Sequence, residues 1–518
     1  MAEKVGQLFI LAFPGKDYKK AARMISDYHI SGCYISQDNA ETFAEARELS
    51  ETLQNASLHA SGLPLVLGVD QEGAWGVLLP EATIGPGNLA LGVADDTRYT
   101  EKMYGIFAQE MRSASYNTIL APCADVNLDP HNPIIGTRSF GEEPTRVAAH
   151  VRTAVTALRR YGVLCSAKHF PGHGDTHCDT HREIPSVDKP LAVLRNNELL
   201  PFQAAIDAGV HLIMTSHIRY PQLDETFPAT LSYKILTNLL REQMGFRGVV
   251  ITDSMNMGAM RKFYDPGEAA VLALLAGADL VMLSEEHYDH SPAYWDKQRA
   301  SIEAVRAAVE AGRISAELLE EKLERIAALR QGLLGPHPTQ GPHPTLGPQT
   351  EREAAMAAIR ILRNESQILP LPPGARVALI NATPRAAYHN LLNVRGIGPN
   401  QATPAFDSFA ESFCSRWPQA QVLDYGSEHS AYDVVLVVTE DHPLPGEDFD
   451  KTVQVQRVQG LLADQATRDR LLILALRSPY DLPEFADALC YVCTYSGRSC
   501  AAQAAAEFLA TGGATACS

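Results

Sequence analysis

One loop of the chain, "KHFPGHGDTHCDTHREIP" from Lys168 to Pro185, gathers His169, His173, His177, Cys178, Asp179 and His181 around Pro171, Gly172 and Gly174. No amphipathic helix or strand needs that composition. Side chains of these types can ligate a metal or move protons. Metal binding is the weaker reading, because the glycines and proline exclude a helix presenting HExxH and no CxxC partner lies nearby. General acid–base work fits better. His181 follows Asp179 by two residues, and a carboxylate beside an imidazole orients the ring, fixes its tautomer and raises its pKa. That is the arrangement of a proton shuttle. Gly172 and Gly174 would let the loop adopt positive φ and fold over a site. The alternative is histidines that cap turns and bond to backbone, a reading that suits one isolated histidine better than this density beside a strand end.

A nucleophile has to come from elsewhere. In "GFRGVVITDSMNMGAM" an apolar strand, Gly248 to Thr252, runs straight into Asp253. A carboxylate at the end of a buried strand is costly unless it is paired or solvated in a cleft. An N-cap for the following helix is the competing reading.

The elements that must position these residues are legible as short apolar runs: "LFILAF", "GCYIS", "LPLVLGVD", "NTILAPCADV", "VLCSAKHF", "HLIMTSHI", "GVVITDSM" and "DLVMLSEE". Helix-like stretches such as "EPTRVAAHVRTAVTALRRYG" and "LSYKILTNLLREQMG" separate most of them. Eight such runs alternating with helices predict a (β/α)8 TIM-type barrel. Barrels of this kind build their sites at the C-terminal ends of the strands. Asp70, Asp125, Lys168, His169, His217 and Asp253 all fall at such ends. The barrel is expected over 1–335. The Pro/Gly-rich "PHPTQGPHPTLGPQT" reads as a linker over 336–350. The remainder, 351–518, alternates "RVALINA", "QVLDYG", "YDVVLVV", "LLILALR" and "ALCYVCTY" with helices, which predicts a smaller α/β sandwich domain.

The 518 residues carry a net charge of −17, which argues against nucleic acid or an anionic membrane surface as a partner. The apolar run near the N-terminus is too short for a signal-peptide core or a membrane span. Nine cysteines without a framework suggest reduced thiols in a cytoplasm. The CxxC of Cys490 and Cys493 reads as buried strand.

Taken together, these residues resemble family 3 glycoside hydrolases, in particular the bacterial β-N-acetylglucosaminidase branch. The match is most specific in the loop itself, with Thr180 where that branch has serine. "GVDQEG", "NTILAPCADVNLDPHNPIIGTRSFG", "AAIDAGVHLIMTSHI" and "GVVITDSMNMGA" support it. The resemblance implies a barrel followed by a smaller α/β sandwich domain, and an enzyme that needs no metal or cofactor. It implies Asp253 as nucleophile, His181 as acid/base, Asp179 as its dyad partner, and Asp70, Arg138, Lys168 and His169 as residues that hold sugar hydroxyls. The activity implied is retaining cleavage of a β-linked amino-sugar glycoside from small glycoconjugates or cell-wall fragments. A phosphorylase of the same fold, a non-catalytic sugar-binding protein and a metal-dependent hydrolase are the alternatives. One departure motivates the non-catalytic reading: Ala74 replaces a glycine, and Leu78 stands where the family carries a sugar-gripping arginine. The other branch of the family takes a catalytic acid from the second domain, where Glu440, Asp441, Glu447 and Asp448 are candidates.

Overall fold

The computed structural model describes residues 2–36, 38–73, 79–177, 184–284, 293–335, 346–388, 403–440 and 450–512. All eight apolar runs become strands: β1 Phe9–Leu11, β2 Gly32–Tyr34, β3 Val66–Val69, β4 Thr118–Ile119, β5 Leu164–Phe170, β6 Leu212–Thr215, β7 Val249–Ile251 and β8 Val281–Leu283. They pair in parallel around a ring in chain order, β1 lying between β2 and β8. A parallel bridge between Ile251 and Leu280 joins β7 to the start of β8 and closes the ring. Ile10, Val66, Leu120, Leu212, Ile251 and Met282 fill the interior, which is a packed core.

The outer helices follow from local signals. The helix Pro144–Arg160 begins where the Glu143 carboxylate accepts the N–H groups of Thr145 and Arg146, with proline in its first turn. Its buried Val147, Val151, Ala154, Val155 and Leu158 recur at helical spacing.

The second domain is a six-stranded sheet in the order β11-β10-β12-β13-β14-β9. Strands β10 Val377–Asn381, β11 Ala420–Leu423, β12 Val434–Glu440, β13 Leu471–Leu476 and β14 Cys490–Cys493 are the five expected, and they are parallel. A sixth, β9 Arg360–Asn364, adds antiparallel to β14 at the edge. It lacks any alternation of apolar residues, since Ile361 and Leu362 are both exposed. Two apolar cores lie on opposite faces of the sheet. Cys490 belongs to one and Cys493 to the other, as three-residue spacing in a strand demands. The CxxC is therefore core and offers no paired thiols.

The linker boundary is corrected at one end. A helix begins at Leu346, inside the stretch expected to be linker, and runs to Ala358. Pro348 is tolerated because the first turn of a helix has no intrahelical partner for its N–H groups. Gly347 lies so close to the barrel that a Cβ there would stand 2.2 Å from the Thr83 hydroxyl oxygen. Residues 336–345 lie outside the described residues.

Candidate active site

The strand ends bring one connected set of charges together. Asp70 follows β3, and its carboxylate accepts the Tyr34 hydroxyl at 2.8 Å and the Lys168 ammonium at 2.5 Å. Lys168, within β5, also contacts Glu72 at 2.5 Å. Glu72 in turn takes two hydrogen bonds from Arg138, Nε at 2.8 Å and Nη2 at 2.9 Å. Arg138 ends a short 3-10 turn, Gly136–Arg138, beyond β4. Its Nη2 lies 3.4 Å from His169 Nε2. A guanidinium only donates, so Nε2 accepts and Nδ1 carries the proton that goes to Asp125 Oδ2 at 2.8 Å.

Electrostatics in this set follow from pairing. Burial opposes ionisation of Glu72, but Arg138 and Lys168 outweigh it and hold its carboxyl far below the usual range. Burial likewise opposes the charge on Lys168, and Asp70 and Glu72 overcome it, so the ammonium is firmly retained.

Asp253 follows β7 and is partly open to solvent. Burial opposes its charge, but the His169 and His217 rings once protonated, the Ser254 N–H and Lys168 together hold its carboxyl below the ordinary range. Oδ1 accepts the Ser254 N–H at 2.8 Å, and Oδ2 has no partner among the described residues. The turn is fixed from β6: His217 Nε2 donates to the Ser254 carbonyl at 2.9 Å, while Nδ1 faces the Thr230 hydroxyl at 2.9 Å. The N-cap reading of Asp253 does not describe this contact, because the next helix, Gly258–Arg261, starts five residues later behind Met257.

Asp179 and His181 lie outside the described residues, as do Ala74 and Leu78. The root of their loop is described. Asp125 accepts the N–H of His169 at 3.1 Å and of His173 at 2.7 Å. Asn132 Nδ2 donates to the His173 carbonyl at 2.8 Å, and the Tyr220 hydroxyl donates to the Gly172 carbonyl. Gly172 has φ +143°, the conformation expected for it. Gly174 does not take positive φ. It is needed for close approach, since a Cβ there would lie 1.7 Å from the Val126 carbonyl oxygen. His173 is buried, which lowers its pKa to about 4, so it stays neutral. His177 is exposed and pairs with Asp129 at 2.5 Å.

Cys123, Asp125 and His169 place ligand atoms within 4.8 Å of one another. Hydrogen bonding accounts for that grouping. Burial pushes the Cys123 thiol well up, and it donates to Asp125 Oδ2 at 3.2 Å. In the second domain Glu440 is not a poised acid. It is buried, and its carboxylate accepts the N–H groups of Ala405 and Phe406 at 3.0 and 3.3 Å, capping the helix Ala405–Arg416. Asp441, Glu447 and Asp448 lie outside the described residues.

Sequence reasoning named Asp70, Arg138, Lys168, His169 and Asp253, and all five converge here. It missed Glu72, which ties Arg138 to Lys168, and left Asp125 and His217 without a role. The signal for Glu72 was present: two residues beyond Asp70, it faces the same side of an extended chain.

The arrangement offers an ionised carboxylate beside donors and acceptors suited to hydroxyl groups. The model for the Glycosyl hydrolase family 3 N terminal domain matches residues 1–329. Beta-hexosaminidase A of Pseudoalteromonas piscicida is 34% identical over 505 residues, 90% of this chain and 82% of that relative. A solved glycoside hydrolase family 3 β-N-acetylglucosaminidase from Paenibacillus is 29% identical, with a TM-score of 0.84 over 99% of this chain and 96% of that one. A β-N-acetylhexosaminidase from Beutenbergia cavernae, also 29% identical, matches 64% of this chain and 98% of its own with a TM-score of 0.57. No described helix is long and apolar enough to cross a membrane.

Proposed function

The chain belongs to glycosyl hydrolase family 3 and is a glycoside hydrolase, and we propose that it is a retaining β-N-acetylhexosaminidase that removes terminal β-linked N-acetylglucosamine-type sugars from small glycoconjugates or cell-wall fragments. The observation that carries this reading is Asp253. It is kept ionised at the end of β7, with one carboxylate oxygen held by Ser254 N–H and the other unpartnered among the described residues. Asp253 attacks the anomeric carbon while protonated His181, paired with Asp179, protonates the leaving oxygen. The neutral imidazole then takes a proton from the incoming water, which hydrolyses the glycosyl-enzyme. Two inversions leave the anomeric configuration unchanged. Asp70, Lys168, Arg138 and His169 hold the sugar hydroxyls, and Glu72 holds the two cations at fixed spacing. The sugar class rests on the named activities of the relatives.

The protein works in the cytoplasm in this reading, which its nine cysteines, spaced without a disulfide framework, support. The test is release of nitrophenol from an aryl β-N-acetylglucosaminide, together with labelling by a fluorosugar. Turnover and a labelled peptide containing Asp253 are expected; a label elsewhere, or none, would refute the assignment. Running the assay with millimolar phosphate separates hydrolase from phosphorylase. The hydrolase reading requires free sugar as product, and a sugar 1-phosphate would overturn it. A neutral histidine in place of a carboxylate would not repel that dianion, which is why the comparison is needed.

A further inference from the structure

The segment that leaves β3 carries Asp70 and Glu72 into the site and the departure from the family pattern just beyond them. Among its described residues, Gly73 lies at φ +76° and Gly85 at φ +82°. Each is gripped by a charged side chain from outside the barrel. Arg498, the residue before the second-domain helix Ser499–Ala510, donates from Nε to the Gly73 carbonyl at 2.8 Å. Glu351, on the helix Leu346–Ala358, accepts the Gly85 N–H at 2.6 Å. Between them the barrel's own Glu110 takes the Thr83 N–H at 3.1 Å and its hydroxyl at 2.5 Å.

Arg498 is 3% exposed, and its Nη1 and Nη2 have no hydrogen-bond partner among the described residues. Burial lowers its pKa to about 10, and the guanidinium keeps its charge at neutral pH. A buried cation with two unpaired nitrogens destabilises the fold relative to a packed apolar side chain. Its contribution has to be sought at the atom it holds. Gly73 is bonded directly to Glu72, which spaces Lys168 and Arg138. At the far end, Asn88 Nδ2 donates to the Arg138 carbonyl at 2.7 Å. Both ends of the segment therefore act on the same arginine.

We infer that Arg498 is a positioning residue through which the second domain sets the affinity of the sugar site, with Glu351 as the matching clamp at Gly85. The inference rests on the reading of Lys168 and Arg138 as sugar-holding residues. Losing the clamp loosens Glu72 and the cations it spaces, and leaves in place the His217-braced turn that carries Asp253. Binding suffers and the chemical step does not.

The test uses the full chain with an aryl β-N-acetylglucosaminide. Arg498→Met is expected to raise KM about tenfold with kcat within about threefold, and to leave the melting temperature equal or higher. Arg498→Lys should recover most of the affinity, since an ammonium can also donate to the Gly73 carbonyl. Glu351→Ala should raise KM in the same direction, and the double variant should fall short of the product of the two singles because both free one segment. An unchanged KM in Arg498→Met overturns the inference. So does a KM rise that comes with a fall in melting temperature and is not rescued by lysine. Lys168→Met separates the premises: if it leaves KM unchanged the sugar-site reading fails, whereas if it raises KM and Arg498→Met does not, only this inference fails.

Discussion

Replacing Glu72 by Gln is the sharpest probe of the charge network. Glu72 is 1% exposed and serves two cations that are themselves buried, Arg138 and Lys168. The amide keeps one acceptor oxygen and removes the charge. Lys168 still has Asp70 at 2.5 Å, whereas Arg138 loses its bidentate carboxylate and retains such weaker contacts as the Ile134 carbonyl at 3.3 Å and the His169 ring. Breaking a buried pair from one side costs about 3–5 kcal/mol, and the retained oxygen places this case near the lower end, at about 3 kcal/mol. With a urea slope of about 3 kcal/mol per molar, the unfolding midpoint should fall by on the order of 1 M. Loosening two charge-assisted contacts should also cost kcat/KM roughly 10- to 100-fold, about 1.4–2.8 kcal/mol. The sign with pH follows from the depressed carboxyl of Glu72. Its stabilisation is fully present above the unfolded value of about 4.3 and is lost as pH falls through that value towards the folded one. The gap between native and variant stability should therefore be constant from pH 8 to about 5.5 and shrink at pH 3.5. A midpoint within about 0.2 M of native together with kcat/KM within about twofold would refute the reasoning, as would a gap that widens in acid.

Asp253→Ala should lose at least about 10³-fold in turnover, ~4 kcal/mol of barrier, with activated and natural leaving groups alike; near-native rates would remove it from the mechanism. His181→Ala should harm basic leaving groups far more than nitrophenolate, and Asp179→Asn should act in the same direction, because protonation matters only when the departing oxygen is basic; equal losses across leaving groups would exclude His181 as the acid. The lowered carboxyl of Asp253 keeps the proposed nucleophile ionised through mild acid, so the acid limb of kcat/KM on a nitrophenyl substrate should lie below pH 3.8, the ordinary aspartate value; a midpoint near pH 5 would contradict it. Leu78→Arg should lower KM for a simple N-acetylglucosaminide by restoring a charge-assisted donor worth about 1.5–3 kcal/mol; micromolar affinity in the native protein would show that no such donor is missing.

The barrel was legible from sequence because its signal is local. Each strand is a short apolar run bounded by turns, and each helix repeats its buried positions every three or four residues, so eight units could be read off without knowing what they touch. The same locality placed Asp70, Lys168, His169, His217 and Asp253, since a polar residue that ends an apolar strand is at a strand end wherever the strand lies. Strand β9 escaped because an edge strand with exposed Ile361 and Leu362 has no such pattern. Leu346–Thr350 read as linker because proline and glycine are local breakers, whereas docking against Thr83 made the turn worth forming. The partners of the charges were decided only in three dimensions. Glu72 meets Arg138 across 66 residues of chain, and Arg498 reaches Gly73 across 425. Whether a buried charge stabilises, destabilises or positions depends on the opposite charge or carbonyl beside it. Periodicity records which side chains turn inward, and the fold alone decides what they meet there.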